Sequence, residues 1–302
     1  MIGTISLPDA QALRETDLDP SLDPWAEIER LKRQKNAIIL AHYYQDGEIQ
    51  DLADFVDDSL DLSRRAAATD ADMIVFSLEE TCLPDDFARC RAAHPDHIAL
   101  TYINCSAEVK ALSGIIVTSS NAEYIIIRLP EHQPILFAPD KHLGAYLARK
   151  TGREMVLWDG TCIVHDQFSV RELVKLKAAH PDALVTAHPE CSVGLLDHAD
   201  HVGSTRSILD FVINAPAQKF IVATERHIFH QMEKAAPDKT FIAAPGADGG
   251  CSCANCPYME MNTLEKIYDQ SFSGKINQIR EISGKIIIDI SQNLDLEITD
   301  DL

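Results

Sequence analysis

Several side-chain groups in this sequence are suited to chemistry as well as to packing. Thr186-Ala187-His188-Pro189-Glu190-Cys191 sets an imidazole and a carboxylate two positions apart at the end of an apolar run. Histidine titrates near neutral pH and a glutamate can be tuned toward it, so the pair can orient a substrate and exchange protons. The same spacing suits a helix start in which Glu190 only complements the helix dipole. Ala41-His42-Tyr43-Tyr44-Gln45 ends another apolar run in donors and acceptors. Tyr102 and Asn104, flanking Ile103, point the same way from an extended chain. Two neutral donors suit a carboxylate ligand in a protein whose formal charge is −20.

The eight cysteines sort unevenly. Cys90, Cys105 and Cys191 read as small buried residues. Cys162 follows a strand-like run and a glycine turn in Trp158-Asp159-Gly160-Thr161-Cys162-Ile163-Val164-His165. Cys251-Ser252-Cys253-Ala254-Asn255-Cys256-Pro257 is a dense thiol loop, and thiols with a trailing proline suggest metal or cluster ligation. A zinc site of two separated Cys-x-x-Cys pairs is not available, because no second pair exists. An iron–sulfur cluster held by single cysteines from distant loops fits the distribution better. Two readings stay open beside it: a zinc-dependent lyase using the Cys251–Cys256 loop with His165 or His188, and a redox pairing of Cys251 or Cys253.

The elements that must position these groups share a spacing. Ala37–Ala41 leads into His42, Ile98–Thr101 into Tyr102, and Ala183–Ala187 into His188. Seventeen residues after these three come Ser59, Ser119 and Thr205. A third apolar run follows each time, at Met73–Phe76, Ile135–Ala138 and Phe220–Ala223. Strand-like runs alternating with helical patterns predict an α/β fold with parallel sheets. Ligands of such sheets sit beyond the carboxyl ends of the strands. Three related units facing a common axis would gather His42, Tyr102, His188, Ser59, Ser119 and Thr205 around one cavity. Alternatively, the three hydroxyls are N-caps of the helices that follow them; a capped N-terminus also attracts anions.

Composition removes several function classes. A net charge of −20 argues against nucleic acid, whose phosphates need a positive surface. No run of eighteen apolar residues is present, which excludes a membrane-spanning helix. The first twenty residues have neither a basic start nor an apolar core, so the expectation is no signal peptide and a cytoplasmic location. The expected division is into units at 25–95, 96–180 and 181–290, with extensions at 1–24 and 291–302.

The motifs together resemble quinolinate synthase, an iron–sulfur enzyme family of NAD biosynthesis. The resemblance rests on Leu40-Ala41-His42-Tyr43-Tyr44-Gln45, Tyr102-Ile103-Asn104, Thr118-Ser119-Ser120-Asn121-Ala122 and Phe137 through Gly144. Gly160 through His165, His188-Pro189-Glu190, Val202 through Thr205 and Cys256-Pro257-Tyr258-Met259 carry it further. It implies three pseudo-threefold-related αβα domains around a central cavity and a [4Fe-4S] cluster on one cysteine from each. It also implies condensation of iminoaspartate with dihydroxyacetone phosphate to quinolinate, phosphate and water. His188 and Glu190 would then handle a substrate carboxylate and protons. Tyr44 would assist isomerisation and ring closure, with His42 and Tyr102 beside it. Ser59, Asn104, Ser119 and Thr205 would hold carboxylates and phosphate, and Cys162 and Cys256 would be cluster ligands. A transient contact with the enzyme that supplies iminoaspartate is a further implication.

One departure matters. After Ile74-Val75-Phe76 the family runs through a further helix and strand to its first cluster cysteine. Here Phe76 meets Ser77-Leu78-Glu79-Glu80-Thr81-Cys82, which resembles the stretch just past that cysteine, so roughly thirty residues are missing. Cys162 and Cys256 lie 43 and 51 residues after Ser119 and Thr205, whereas Cys82 lies 23 after Ser59. Either Cys82 is a substitute ligand, or cluster and activity are lost, or the segment is absent only from the sequence as it stands. Tyr43 replaces a usual asparagine, and Cys105 stands where threonine is common.

Overall fold

The computed structural model describes residues 21–76, 82–247, 254–272, 279–282 and 285–289. Its strands are short and rich in Ile, Val and Leu. In chain order they are β1 (Ala37–His42), β2 (Phe55–Asp57), β3 (Met73–Phe76), β4 (Ile98–Tyr102), β5 (Ile115–Val117) and β6 (Ile135–Ala138). Then come β7 (Met155–Leu157), β8 (Leu184–Ala187), β9 (His201–Val202), β10 (Lys219–Ala223), β11 (Thr240–Ala243), β12 (Ile279–Ile282) and β13 (Lys285–Asp289). Helices separate most consecutive strands up to β11, giving the expected α/β class with parallel sheets. The apolar runs at Met73–Phe76 and Ile135–Ala138 are β3 and β6 residue for residue, and Phe220–Ala223 lies within β10.

The chain divides into two compact units. The larger holds two four-stranded parallel sheets, ordered β5-β4-β6-β7 and β9-β8-β10-β11. Alternation along a strand buries both faces of the first of these. Ile135 and Phe137 pack with Leu100, Val117, Leu143 and Leu147 on one side. Leu136 and Ala138 pack with Phe87, Ala99, Val109 and Trp158 on the other. A fully buried Phe or Leu contributes about 1.5–3 kcal/mol, so β6 is a strong anchor for the loop that leaves its end. The helix Lys141–Thr151 begins in that loop, capped by Asp140. It ends at Gly152, whose φ of 70° is the left-handed closure that glycine adopts without strain.

The smaller unit holds the sheet β12-β13-β3-β1-β2. Ala37, Ile39 and Ala41 face one apolar cluster with Val75 and Ile28, and Leu40 faces another with Leu62 and Ile74. Beyond β3 the neighbour is β13, parallel, with Ile286 opposite Met73 and Asp289 opposite Phe76. Strand β12 adds antiparallel to β13.

One register recurs. Leu40 pairs with Phe55, Leu100 with Ile115, and Thr186 with His201, fifteen residues apart in every case. Each time the next strand pairs parallel on the other side: β3 on β1, β6 on β4, β10 on β8. In the second and third sheets the following strand, β7 or β11, pairs on beyond. In the first, that place belongs to β13, more than two hundred residues downstream of β3.

Candidate functional site

The carboxyl ends of β6, β8 and β10 carry a cluster of buried reactive groups. His188 follows β8 directly and its N–H donates to the Ala223 carbonyl at the end of β10 (3.0 Å). The chain turns there, with Cys191 N–H donating back to His188 (3.0 Å), and the turn directs Glu190 inward. His188 and Glu190 are 1% and 3% exposed. His165, 1% exposed, opens a short 3-10 turn, and its ring stacks on His188 with centroids 4.7 Å apart. Its Nδ1 stands 3.1 Å from Cys162 Sγ and 3.5 Å from Glu190 Oε2. Its Nε2 lies 3.0 Å from Thr224 Oγ1.

Burial governs the electrostatics. Desolvation raises the Glu190 carboxyl to about 8 and lowers His188 to about 4, so both are neutral at pH 7. It also holds His165 well below its ordinary value, with the neighbouring His188 adding to the effect. Asp140 is raised to about 7, first by burial and then by Glu190, against the hydrogen bonds it accepts. His188 Nδ1 stands 3.0 Å from Glu190 Oε2, but off the line of a hydrogen bond. It is one of the few buried polar side-chain atoms left without a partner among the described residues. Buried polar atoms are almost always paired, so an orphan beside a protonated carboxyl marks a place where another molecule's polar group fits.

Two further carboxylates fix the thiols. Asp140 Oδ1 accepts from Leu143 N–H (2.6 Å) and Oδ2 accepts from Cys162 N–H (2.8 Å). Glu225, 1% exposed, accepts from Cys256 N–H (3.1 Å) and from His227 N–H (2.7 Å). Burial raises the Glu225 carboxyl, which His227 partly offsets. Cys162 and Cys256 are both buried, and the chain Cys162–His165–Thr224–Glu225–Cys256 links them through contacts and one peptide bond.

The other expected residues take strand-end positions. Tyr102 closes β4, with Asn104 just beyond it, and His42 closes β1. Tyr44 follows in the smaller unit, its ring edge-on to His42 with centroids 4.5 Å apart and its N–H donating to His42 Nδ1 (3.3 Å). Tyr43 Oη donates to Asp57 (3.0 Å), a structural contact. Ser59 and Thr205 are the first residues of their helices, yet the capping oxygens belong to Asp58, which accepts from Leu60 and Asp61, and to Ser204, which accepts from Ser207. Ser119 sits in the turn after β5, where Asn121 Oδ1 takes the Thr118 N–H. Asp58 and Ser204 thus supply the caps that the N-cap alternative gave to Ser59 and Thr205, while the helix Ala122–Ile126 after Ser119 has Asn121 as its N-cap residue and no side-chain cap bond. Cys105 and Cys191 are buried, donating to the carbonyls of Tyr102 and Ala223, while Cys90 is half-buried. Cys82 packs against Phe87, Ala99, Val109 and Trp158. Cys251 and Cys253 lie outside the described residues.

Sequence reasoning missed Asp140, Thr224 and Glu225. The signal was available: they follow the third strand of their units, and a third strand end presents polar groups to the same side as the first two.

A family model for quinolinate synthetase A protein matches residues 26–78 and 77–289. The chain belongs to the quinolinate synthase family. A quinolinate synthase from Microcystis aeruginosa is 50% identical over 274 residues, 82% of this chain and 86% of that one. One from Synechococcus sp. is 51% identical over 281 residues, 84% and 87% of the two chains. Quinolinate synthases are enzymes of NAD biosynthesis, and this chain is one by membership. The match also bears on the missing segment, because it divides in two at residues 77–78. Of 302 residues, 82% is about 248, so a 274-residue alignment leaves about 26 positions of the Microcystis protein without a counterpart.

Proposed function

We infer that the protein condenses iminoaspartate with dihydroxyacetone phosphate to form quinolinate, phosphate and water. The observation that carries this is the His188–Glu190 pair: buried, neutral, and with His188 Nδ1 unpartnered. A protonated carboxyl beside a neutral imidazole supplies a proton donor and an acceptor at adjacent points, which enolisation, imine formation and dehydration all need. His188 and Glu190 also meet a substrate carboxylate without the repulsion that an ionised Glu190 would bring.

On this reading Tyr44 exchanges a proton during isomerisation and ring closure, and His42 and Tyr102 bind substrate. Asn104, Ser59, Ser119 and Thr205 donate to carboxylate and phosphate oxygens. Hydroxyls at helix starts suit this, because first-turn N–H groups favour anions. The 25–95, 96–180 and 181–290 units are three copies of one design; the shared fifteen-residue register supports this. The enzyme works in the cytoplasm and receives its unstable imine through transient contact with the enzyme that makes it. No helix among the described residues is long and apolar enough to cross a membrane.

A [4Fe-4S] cluster expected of the family takes three thiols, and when bound it supplies an open iron as Lewis acid. Cys162 and Cys256, joined by the chain described above, would hold it, with Cys82, buried beside Phe87, Ala99, Val109 and Trp158, as the candidate third thiol.

The test is anaerobic incubation of the purified chain with dihydroxyacetone phosphate and freshly generated iminoaspartate, with quinolinate measured by chromatography. Formation of quinolinate in proportion to enzyme is expected; its absence with both substrates intact overturns the inference. The divided family match favours a second reading, in which the chain binds these acids without converting them. Calorimetric binding of quinolinate without turnover would select it.

A further inference from the structure

We propose that Asp58 is a positioning residue: it aligns the hydroxyl-bearing residues Ser59 and Ser119 by tying the start of the helix Ser59–Ala68 to the turn after β5. The inference rests on the functional reading above and deepens it, since that reading gives both hydroxyls an anionic group to hold but nothing to align them. Asp58 is 4% exposed and bonds in two directions. Its Oδ1 accepts from the N–H groups of Leu60 and Asp61, both at 3.1 Å, which fixes the first turn of the helix. Its Oδ2 accepts from the Ser120 hydroxyl, 62 residues along the chain. Ser59 follows one partner of that bond and Ser119 precedes the other, so a single bond sets where both residues stand.

The seventeen-residue spacing supports the assignment. Asp58, Thr118 and Ser204 each stand one residue before Ser59, Ser119 and Thr205. Asp58 and Ser204 give an oxygen to a helix cap. Thr118 does not. Its N–H donates to Asn121 Oδ1 at 2.7 Å and its carbonyl accepts from Ala122 N–H at 3.0 Å, but its hydroxyl oxygen is buried without a partner. Buried polar atoms are almost always paired, so this orphan beside Ser119 marks a turn that a polar group of another molecule completes. Asp58 also lies within electrostatic reach of His188. Burial lowers that ring most, and Asp140 and then Asp58 pull the other way.

The test reads binding by the folded chain under anaerobic conditions, without requiring turnover. Calorimetry with quinolinate reads the carboxylate contacts, and calorimetry with dihydroxyacetone phosphate reads the phosphate. Ser120→Ala breaks the bridge and leaves the helix cap in place. It should weaken binding of at least one of the two about three- to tenfold, the worth of one hydrogen bond. Ser120→Thr keeps the hydroxyl and should restore the affinity. Asp58→Ala removes bridge and cap together and should weaken binding further; if it does not fold, Ser120→Ala still reads the bridge alone.

A purely structural bond gives a different pattern, a lower melting temperature in Ser120→Ala with both affinities unchanged, and that result overturns the proposal. So does a loss of affinity that Ser120→Thr fails to restore. A wild type that binds neither compound overturns both inferences. Because binding is read apart from turnover, the conversion to quinolinate can fail while the Ser120 comparison still decides the role of Asp58.

Discussion

Asp140 Oδ2 accepts a hydrogen bond from the backbone N–H of Cys162 at 2.8 Å, while its other oxygen caps the helix Lys141–Thr151 at 2.6 Å. One buried carboxyl thereby ties the end of β6 to the loop that carries the thiol.

Asp140→Ala should cost about 2–4 kcal/mol, from a lost cap and an orphaned buried amide. Asp140→Asn keeps one acceptor oxygen and should cost less than half as much. Urea denaturation of the three proteins checks this, and equal losses in both variants would refute it.

Gly160 lies opposite, its carbonyl accepting from Lys141 N–H at 2.8 Å. A Cβ there would stand 2.5 Å from the Pro139 carbonyl oxygen and 2.8 Å from the Trp158 indole. Since backbone cannot yield cheaply, Gly160→Ala should destabilise by about 1–3 kcal/mol and displace Cys162. Thermal unfolding together with the reaction rate of the Cys162 thiol measures both effects.

His201 bonds to Thr186 Oγ1 (2.9 Å) and Ser207 Oγ (3.0 Å) and stacks on Phe211. Burial first, and Lys150 second, lower its pKa. The unfolded chain protonates this ring near its ordinary value of about 6.5, while the folded one resists. Its contribution to stability is thus present above that pH and is lost as pH falls below it. His201→Gln should therefore flatten the decline of the urea midpoint between about pH 7 and 5. Parallel curves for the two proteins would rule this out.

Strand β13 fills the place beside β3 that β7 and β11 fill beside β6 and β10. Ending the chain at residue 278 should uncover the β3 edge, lower the melting temperature by several degrees and promote aggregation. Light scattering during a thermal scan reads both, and an unchanged scan would show that the hairpin is dispensable.

Much of the fold was legible because strand-length apolar runs between helical patterns leave little choice: β3 and β6 coincide with their apolar runs to the residue. The recurrence was legible in His42, Tyr102 and His188 because strand ends hold their polar residues in register. Asp140, Thr224 and Glu225 escaped because an acid or hydroxyl after a strand looks like an ordinary cap or turn residue. Their burial and their amide partners arise only in the fold. The role of β13 escaped for a different reason: pairing across more than two hundred residues leaves no local pattern.

The most direct measurement is the rate of quinolinate formation by wild type and Glu190→Gln under anaerobic conditions, with metal counted per chain. Glutamine fills the same volume but cannot give up a proton. The rate should fall about a hundredfold or more, with folding intact. A variant that makes quinolinate as fast as the wild type would contradict the account.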